Sequence, residues 1–454
     1  MSITARRAPD LGADTMPSLR TLAGPKEKFD QSSDLLEWLE GEFSRHGDIF
    51  DAKAYGMDIC ATRNPEHVQH VFRKNWTNYK RGLAVKRIAM LMGRGLVVSE
   101  GQLWKTQRKL IQPTLHRNAV EQIVSVVTAA NAELLTAWMD AAARGRTVNA
   151  TLDISRMVLK SVLMAIFGDD YDAAAPHFAI LADETARDLE FAHAFLPLRA
   201  VVAQIAGQRK AHAGMAPDIL GMLMAAHDMH GVPAMSERQL VSEVITLVVA
   251  GHETTAITLN WVWYLLSQHP DAEAELHREL DLLDSRPPTV SDFPRAPFTR
   301  QIIEEALRLY PPLWLITRRA ITDDRFGDHA VAAGTEIYIS PYFVQRNPAL
   351  WTDPERFDPW RFSPARSGDR PELAMLAFGA GPRNCVGEVF ARIEMQLHVM
   401  MIAGRLRLHH PGGAPPKLHA AVNLRNAADF IMTPQARLAP AQHDIAGVGR
   451  WPRH

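Results

Sequence analysis

The sequence predicts one mostly α-helical domain with a small β region, and three observations carry that reading. Helical periodicity runs in long stretches from Asp34 onward. Apolar and polar residues alternate only in short segments, around Asp51 to Ala61 and Phe326 to Ile339, where a few edge strands are expected. No Pro- or Gly-rich linker divides the 454 residues, so a length that would suit two or three domains is read as one. The domain is expected over residues 34–437, with an amino-terminal arm at 1–33 and a loose tail at 438–454.

Composition excludes several function classes. Apolar residues make up 47% and charged residues 22% of the chain, which suits a packed globule and not a disordered one. A formal net charge of -1 gives no reason to expect nucleic acid or an anionic membrane as partner. The two cysteines, Cys60 and Cys385, form no disulfide framework, and a reducing cytoplasmic setting is expected. Met1 to Pro25 contains no apolar run of signal-peptide or membrane-helix length, and Asp10 and Asp14 argue against a transit peptide. The apolar stretch Ile245 to Gly251 is too short to span a bilayer and reads as buried helix.

The longest helix is expected at about Ser236 to Gln268, where Ser236 and Gln239 have the spacing of a capping box. At 1.5 Å per residue it would be about 50 Å long and cross the molecule. Leu247, Ala250, Gly251, Thr254 and Thr258 share one of its faces. Gly and Thr are poor helix formers, so their place at mid-helix suggests a local bend or opening beside a ligand. Arg361 to Arg370 is read as a surface loop, and Val386 to Gly404 as a helix.

The segment Phe378-Gly379-Ala380-Gly381-Pro382-Arg383-Asn384-Cys385-Val386-Gly387 reads F-x-x-G-x-R-x-C-x-G. Its residue types suit a thiolate ligand. Backbone N–H groups and the start of a helix can hold a sulfur anion, and glycines let the chain curl closely around it. The plain alternative is a buried cysteine acting as a small hydrophobe. Zinc is disfavoured, because no second cysteine or spaced His pair accompanies Cys385. Here the chain resembles the cytochrome P-450 family of haem-thiolate monooxygenases. The resemblance implies that Cys385 ligates the iron of haem b, with Phe378, Gly379 and Gly387 around it. It also implies a triangular, largely α fold around one buried haem.

Three further sets of residues follow from the same resemblance. Glu305-Ala306-Leu307-Arg308 matches the family's E-x-x-R, whose ends share a helix face. Arg356 in Pro354-Glu355-Arg356-Phe357 is expected to complete a buried structural triad with Glu305 and Arg308. Glu253 and Thr254, in Ala250-Gly251-His252-Glu253-Thr254-Thr255, match the acid–alcohol pair that delivers protons for oxygen activation; His252 is given no role. Trp104, Arg108, Arg318 (in preference to Arg319) and Arg383 are expected at the haem propionates, whose charge needs cations once buried.

The intact acid–threonine pair implies insertion of one oxygen atom from O2 into a lipophilic substrate, a fatty acid or terpenoid-like molecule. By family position the substrate pocket is expected to include Met90, Met92, Val249, Ala250, Leu313, Trp314, Ile316 and Phe430. The chain carries no flavin or nicotinamide fingerprint, so a ferredoxin or flavodoxin with its reductase is implied as electron donor. Lys105, Lys109, Arg117, Arg361 and Arg366 are the expected basic docking patch. The competing readings are a peroxide-driven peroxygenase, a member catalysing another oxidation, and a haem-thiolate sensor without turnover.

Overall fold

A computed structural model describes residues 27–30, 34–83, 85, 92–115, 120–182, 188–211, 216–227, 234–283, 286–368 and 370–437. The remaining residues, including Met90, Arg117 and the expected tail at 438–454, lie outside the described residues.

Helices form the bulk of the molecule. The central helix, Glu237–Gln268, starts where Ser236 accepts a hydrogen bond from the Gln239 N–H, and ends at His269 ahead of Pro270. Proline cannot continue a helix but suits the first turn of the next, which begins there. Ala150–Phe167, Pro297–Leu309 and the carboxy-terminal helix Glu388–Ala403 pack against it, and Val120–Ala143 packs on the first and last of these. Among the described residues the central helix is the one long and apolar enough to cross a membrane, yet most of it is buried in the core.

A polar chain cross-links three of these helices. The Trp263 indole N–H donates to His398 Nε2 at 2.8 Å, and His398 Nδ1 lies 2.6 Å from Asn131 Oδ1. Indole can only donate, so Nε2 accepts and Nδ1 carries the proton that bonds Asn131. Burial pushes the His398 pKa down to about 3, which keeps this ring neutral and the network intact near neutral pH.

The main sheet has six strands in the order Glu27–Lys28, Ile49–Ala54, Met57–Thr62, Glu336–Ile339, Ile316–Ala320 and Tyr79–Arg81. Its hairpin pairs Asp51 with Cys60, and its far edge pairs Arg81 with Arg318. The two alternating segments named from sequence fall on strands, whereas Tyr79–Arg81 and Ile316–Ala320 carried no such signal. Glu27–Lys28 precedes the Asp34 boundary and already belongs to this sheet, with Phe29 buried behind it. A three-stranded sheet joins Leu406–His409, Ile431–Ala436 and Val148–Asn149. Among the described residues two small hairpins complete the β structure, Asp324–Phe326 with His329–Val331 and Leu418–Ala420 with Leu424–Asn426.

Candidate active site

The loop before the carboxy-terminal helix is held by its own backbone. Gly379 N–H donates to Leu376 O at 2.8 Å, and Cys385 N–H donates to Phe378 O at 2.8 Å. Gly381 has φ +70°, and a Cβ there would sit 1.8 Å from the Phe72 carbonyl oxygen, so only glycine lets the loop pass this close. Gly387 caps the helix, and its N–H bonds the Cys385 sulfur. Cys385 lines a cavity, to which its side chain is exposed. Burial pushes its thiol pKa up, while the Gly387 N–H and the nearby guanidinium groups of Arg108 and Arg392 pull it back.

That cavity measures about 470 Å³ and runs from Cys385 to the central helix. All five residues assigned to one helix face, Leu247, Ala250, Gly251, Thr254 and Thr258, line it, as do Phe378, Gly379 and Gly387. The helix is unbroken here, contrary to the expected opening. Thr254 Oγ1 donates to Ala250 O at 3.0 Å and Thr258 Oγ1 to Thr254 O at 2.9 Å, so the hydroxyls are satisfied within the helix. Glu253 also lines the cavity. Burial pushes its carboxyl pKa up, opposed by a hydrogen bond from Asn423 and the charge of Arg425. His252 lies outside this set: it is buried against Ser155, and burial lowers its pKa to about 4.

Of the expected pocket residues, Met92, Val249, Ala250, Leu313 and Ile316 line the cavity, and Met90 lies outside the described residues. Trp314 and Phe430 do not. Trp314 turns into the core under the main sheet and donates to Ala421 O at 3.0 Å. Phe430 stacks on Tyr264 and meets Trp261 edge-on, and the neighbouring hairpin turn presents Val422 and Asn423 to the cavity instead.

Three arginines, Arg81, Arg318 and Arg383, also line the cavity. Antiparallel pairing sets Arg81 beside Arg318, and Arg318 lies over the Phe72 ring at 5.1 Å. Burial, reinforced by neighbouring arginine charge, lowers Arg318 to about 10 and Arg81 to about 9. Glu100, paired with Arg383, opposes them. Arg81 Nε is buried without a hydrogen-bond partner. Buried cations with an unmet donor at a cavity wall form a socket for an anion, and a dicarboxylate suits it.

Comparison with known proteins shows the family to which this chain belongs. The family model described as Cytochrome P450 matches residues 26–189 and 198–432. The chain belongs to the cytochrome P450 family. Cyclooctatin synthase of Streptomyces melanosporofaciens is 32% identical over 416 residues, covering 86% of this chain and 89% of the relative. Pentalenene oxygenase of Streptomyces avermitilis is 29% identical over 386 residues, covering 80% and 85%. The solved cytochrome P450DA heme domain superposes with a TM-score of 0.80 at 22% identity, covering 92% of this chain and 98% of that one. The protein is a P450 monooxygenase and its cofactor is haem b.

The residues present fit that cofactor. A cavity-facing thiol stands beneath apolar walls, and the arginine socket suits the propionates. Two of the residues expected at the propionates do not line the cavity. Trp104 is a buried platform on which the Arg383 guanidinium lies, 4.3 Å from the ring centroid. Arg108 donates to Asn384 O at 2.6 Å and to Asn384 Oδ1 at 2.8 Å, and so clamps the residue before Cys385. Arg81, which sequence reasoning missed, stands with Arg318 and Arg383 on the cavity wall. Its signal is non-local, because only the strand pairing with Arg318 brings it there.

Arg81→Ala separates a cofactor role from a scaffold role. It removes a repelled charge from the empty socket, so the apoprotein should be at least as heat-stable as the unaltered one. A charge-assisted hydrogen bond is worth about 1.5–3 kcal/mol, so haem should leave about ten- to a hundredfold faster. Haem transfer to an acceptor globin measures this, and an unchanged rate would remove Arg81 from the socket.

The buried triad of this P450 differs from the expected one. Glu305 Oε2 accepts from Arg308 Nε at 2.7 Å, and Glu305 Oε1 accepts from Arg361 Nε at 3.0 Å. Arg356 is exposed and offers only its carbonyl oxygen, to Arg308 at 3.2 Å and to Arg361 at 3.1 Å. The pattern Pro-x-Arg-Phe occurs twice in succession, at Pro354 and at Pro359, and the second copy reaches the helix. Arg361 therefore belongs to the core and leaves the docking patch, and the segment expected as a loop contains two short helical turns. Arg366 pairs with Asp358, whereas Lys105 and Lys109 are exposed on the helix whose Arg108 clamps the cysteine loop.

Proposed function

We propose that this P450 hydroxylates a bulky terpenoid-type substrate, RH + O2 + 2e⁻ + 2H⁺ → ROH + H2O, with Glu253 and Thr254 as its proton path. The observation that carries the substrate class is the cavity, whose walls between Cys385 and the central helix are chiefly apolar, with Met92, Leu247, Val249, Leu313 and Val422 among them. Such walls bind by excluding water, and they favour a compact hydrocarbon over a charged guest. Relatives named for pentalenene and for cyclooctat-9-en-7-ol support the same class.

Haem b, when bound, supplies the redox chemistry with O2, and Cys385 Sγ is the ligand that tunes it. The protein supplies position and protons. Glu253 sits between the Asn423–Arg425 turn and the cavity, and burial favours its protonated form, so its carboxyl is a proton source. Thr254 Oγ1 now donates to Ala250 O. Turning that hydrogen into the cavity lets the hydroxyl pass a proton inward while it is replenished from Glu253. Electrons are supplied by an external ferredoxin or flavodoxin with its reductase, for which exposed Lys105 and Lys109 offer positive charge near the cysteine loop. A reducing cytoplasmic setting fits the two unbridged cysteines.

Turnover of a cyclic terpene hydrocarbon with a surrogate ferredoxin and reductase tests this reading. The unaltered enzyme should yield hydroxylated product from most of the electrons consumed. Thr254→Ala should consume NADPH at a comparable rate and divert most of it to peroxide or water. Equal coupling in both would sink the proton path, and turnover of long-chain fatty acids alone would sink the substrate class.

A further inference from the structure

We infer that a second, haem-independent site binds a zinc-type divalent cation through Cys60, His329 and Asp51. Cys60 and Asp51 face each other across the hairpin Ile49–Ala54 with Met57–Thr62, as a directly paired couple in its register. His329 comes from a separate hairpin, at the first residue of His329–Val331. Its Nε2 lies 3.1 Å from Asp51 Oδ1 and 3.7 Å from Cys60 Sγ. The three donor atoms all fall within 4.8 Å of one another.

One nitrogen makes both contacts, and that is the point of chemistry. An imidazole Nε2 carries either one hydrogen or one lone pair in its neutral forms, so it serves a single hydrogen-bond partner well. Here an oxygen and a sulfur converge on it together. A tetrahedral cation explains the convergence. Bonds of about 2.0 Å to nitrogen and oxygen and about 2.3 Å to sulfur set neighbouring donors about 3.3 Å (N···O) and about 3.5 Å (N···S) apart. The observed 3.1 and 3.7 Å already approach those separations.

The donor set also selects the metal. One thiolate, one imidazole and one carboxylate suit zinc and other borderline divalent ions, and a thiolate excludes calcium or magnesium as a good occupant. Cys60 is fully buried, while the side chains of His329 and Asp51 are 27% and 33% exposed. The site therefore opens to solvent on the imidazole and carboxylate side, which leaves a fourth position for water. A cation here would cross-link the two hairpins. It would not touch the cavity, since none of the three residues lines it.

The test uses haem-loaded protein incubated with zinc, desalted, and assayed for zinc per haem iron, beside Cys60→Ser and His329→Ala. The carbon monoxide spectrum of each variant checks that the haem site is intact. The site predicts about one retained zinc per haem in the unaltered protein, a zinc–sulfur distance of about 2.3 Å by X-ray absorption, and loss of both in the variants. Failure of the unaltered protein to retain zinc, or equal retention in His329→Ala, would overturn it.

Discussion

Arg361→Ala is expected to give little folded, haem-loaded protein, whereas Arg356→Ala should accumulate and bind haem as the unaltered chain does. Arg361 is 4% exposed and Glu305 fully buried, so deleting the guanidinium leaves a buried carboxylate short of a cation. Arg361 also donates to Thr352 O at 2.7 Å and to Asp353 O at 3.1 Å, and those carbonyls would lose their donors as well. Breaking a buried pair from one side costs about 3–5 kcal/mol, a large share of the roughly 5–15 kcal/mol that holds a protein folded. Arg356 puts only its backbone into the network, and its side chain is exposed. Soluble yield, haem-to-protein ratio and melting temperature distinguish the two variants. Normal haem content in Arg361→Ala, with loss in Arg356→Ala, would restore the assignment read from sequence.

Cys385→Ala should abolish oxygenation. Among the described residues that line the cavity there is no other cysteine, no histidine and no tyrosine, so no side chain of similar donor strength can take over. The loop itself should survive, because it is held by backbone bonds and by Arg108 on Asn384, none of which uses the thiol. Turnover should therefore fall to background while the apoprotein keeps its fold, as circular dichroism can verify. Substantial residual oxygenation would mean that Cys385 is not the ligand.

The site was legible in the sequence wherever its chemistry is local. The cysteine loop is ten consecutive residues whose glycines answer to backbone constraints within the same loop, above all the approach of Gly381 to Phe72. The central helix announced its cap, its length and the face that lines the cavity through spacing alone. What sequence could not resolve was non-local. Two adjacent copies of Pro-x-Arg-Phe are equivalent until Glu305 selects one of them. Arg81 has no distinguishing neighbours until a strand more than two hundred residues later pairs with it. Trp314 and Phe430 are apolar residues beside a pocket, and only the packing of the sheet and of Tyr264 decides that they face away from it. Short strands such as Tyr79–Arg81 offer too few residues for alternation to register.

The central claim, that a thiolate from Cys385 holds haem b in the cavity under the central helix, is tested most directly by one spectrum. Purified protein is reduced and exposed to carbon monoxide, and the difference spectrum is recorded beside that of Cys385→Ala. The account predicts a strongly red-shifted Soret band in the unaltered protein and its loss in the variant. A band typical of histidine ligation, or the same red-shifted band in both proteins, would contradict it.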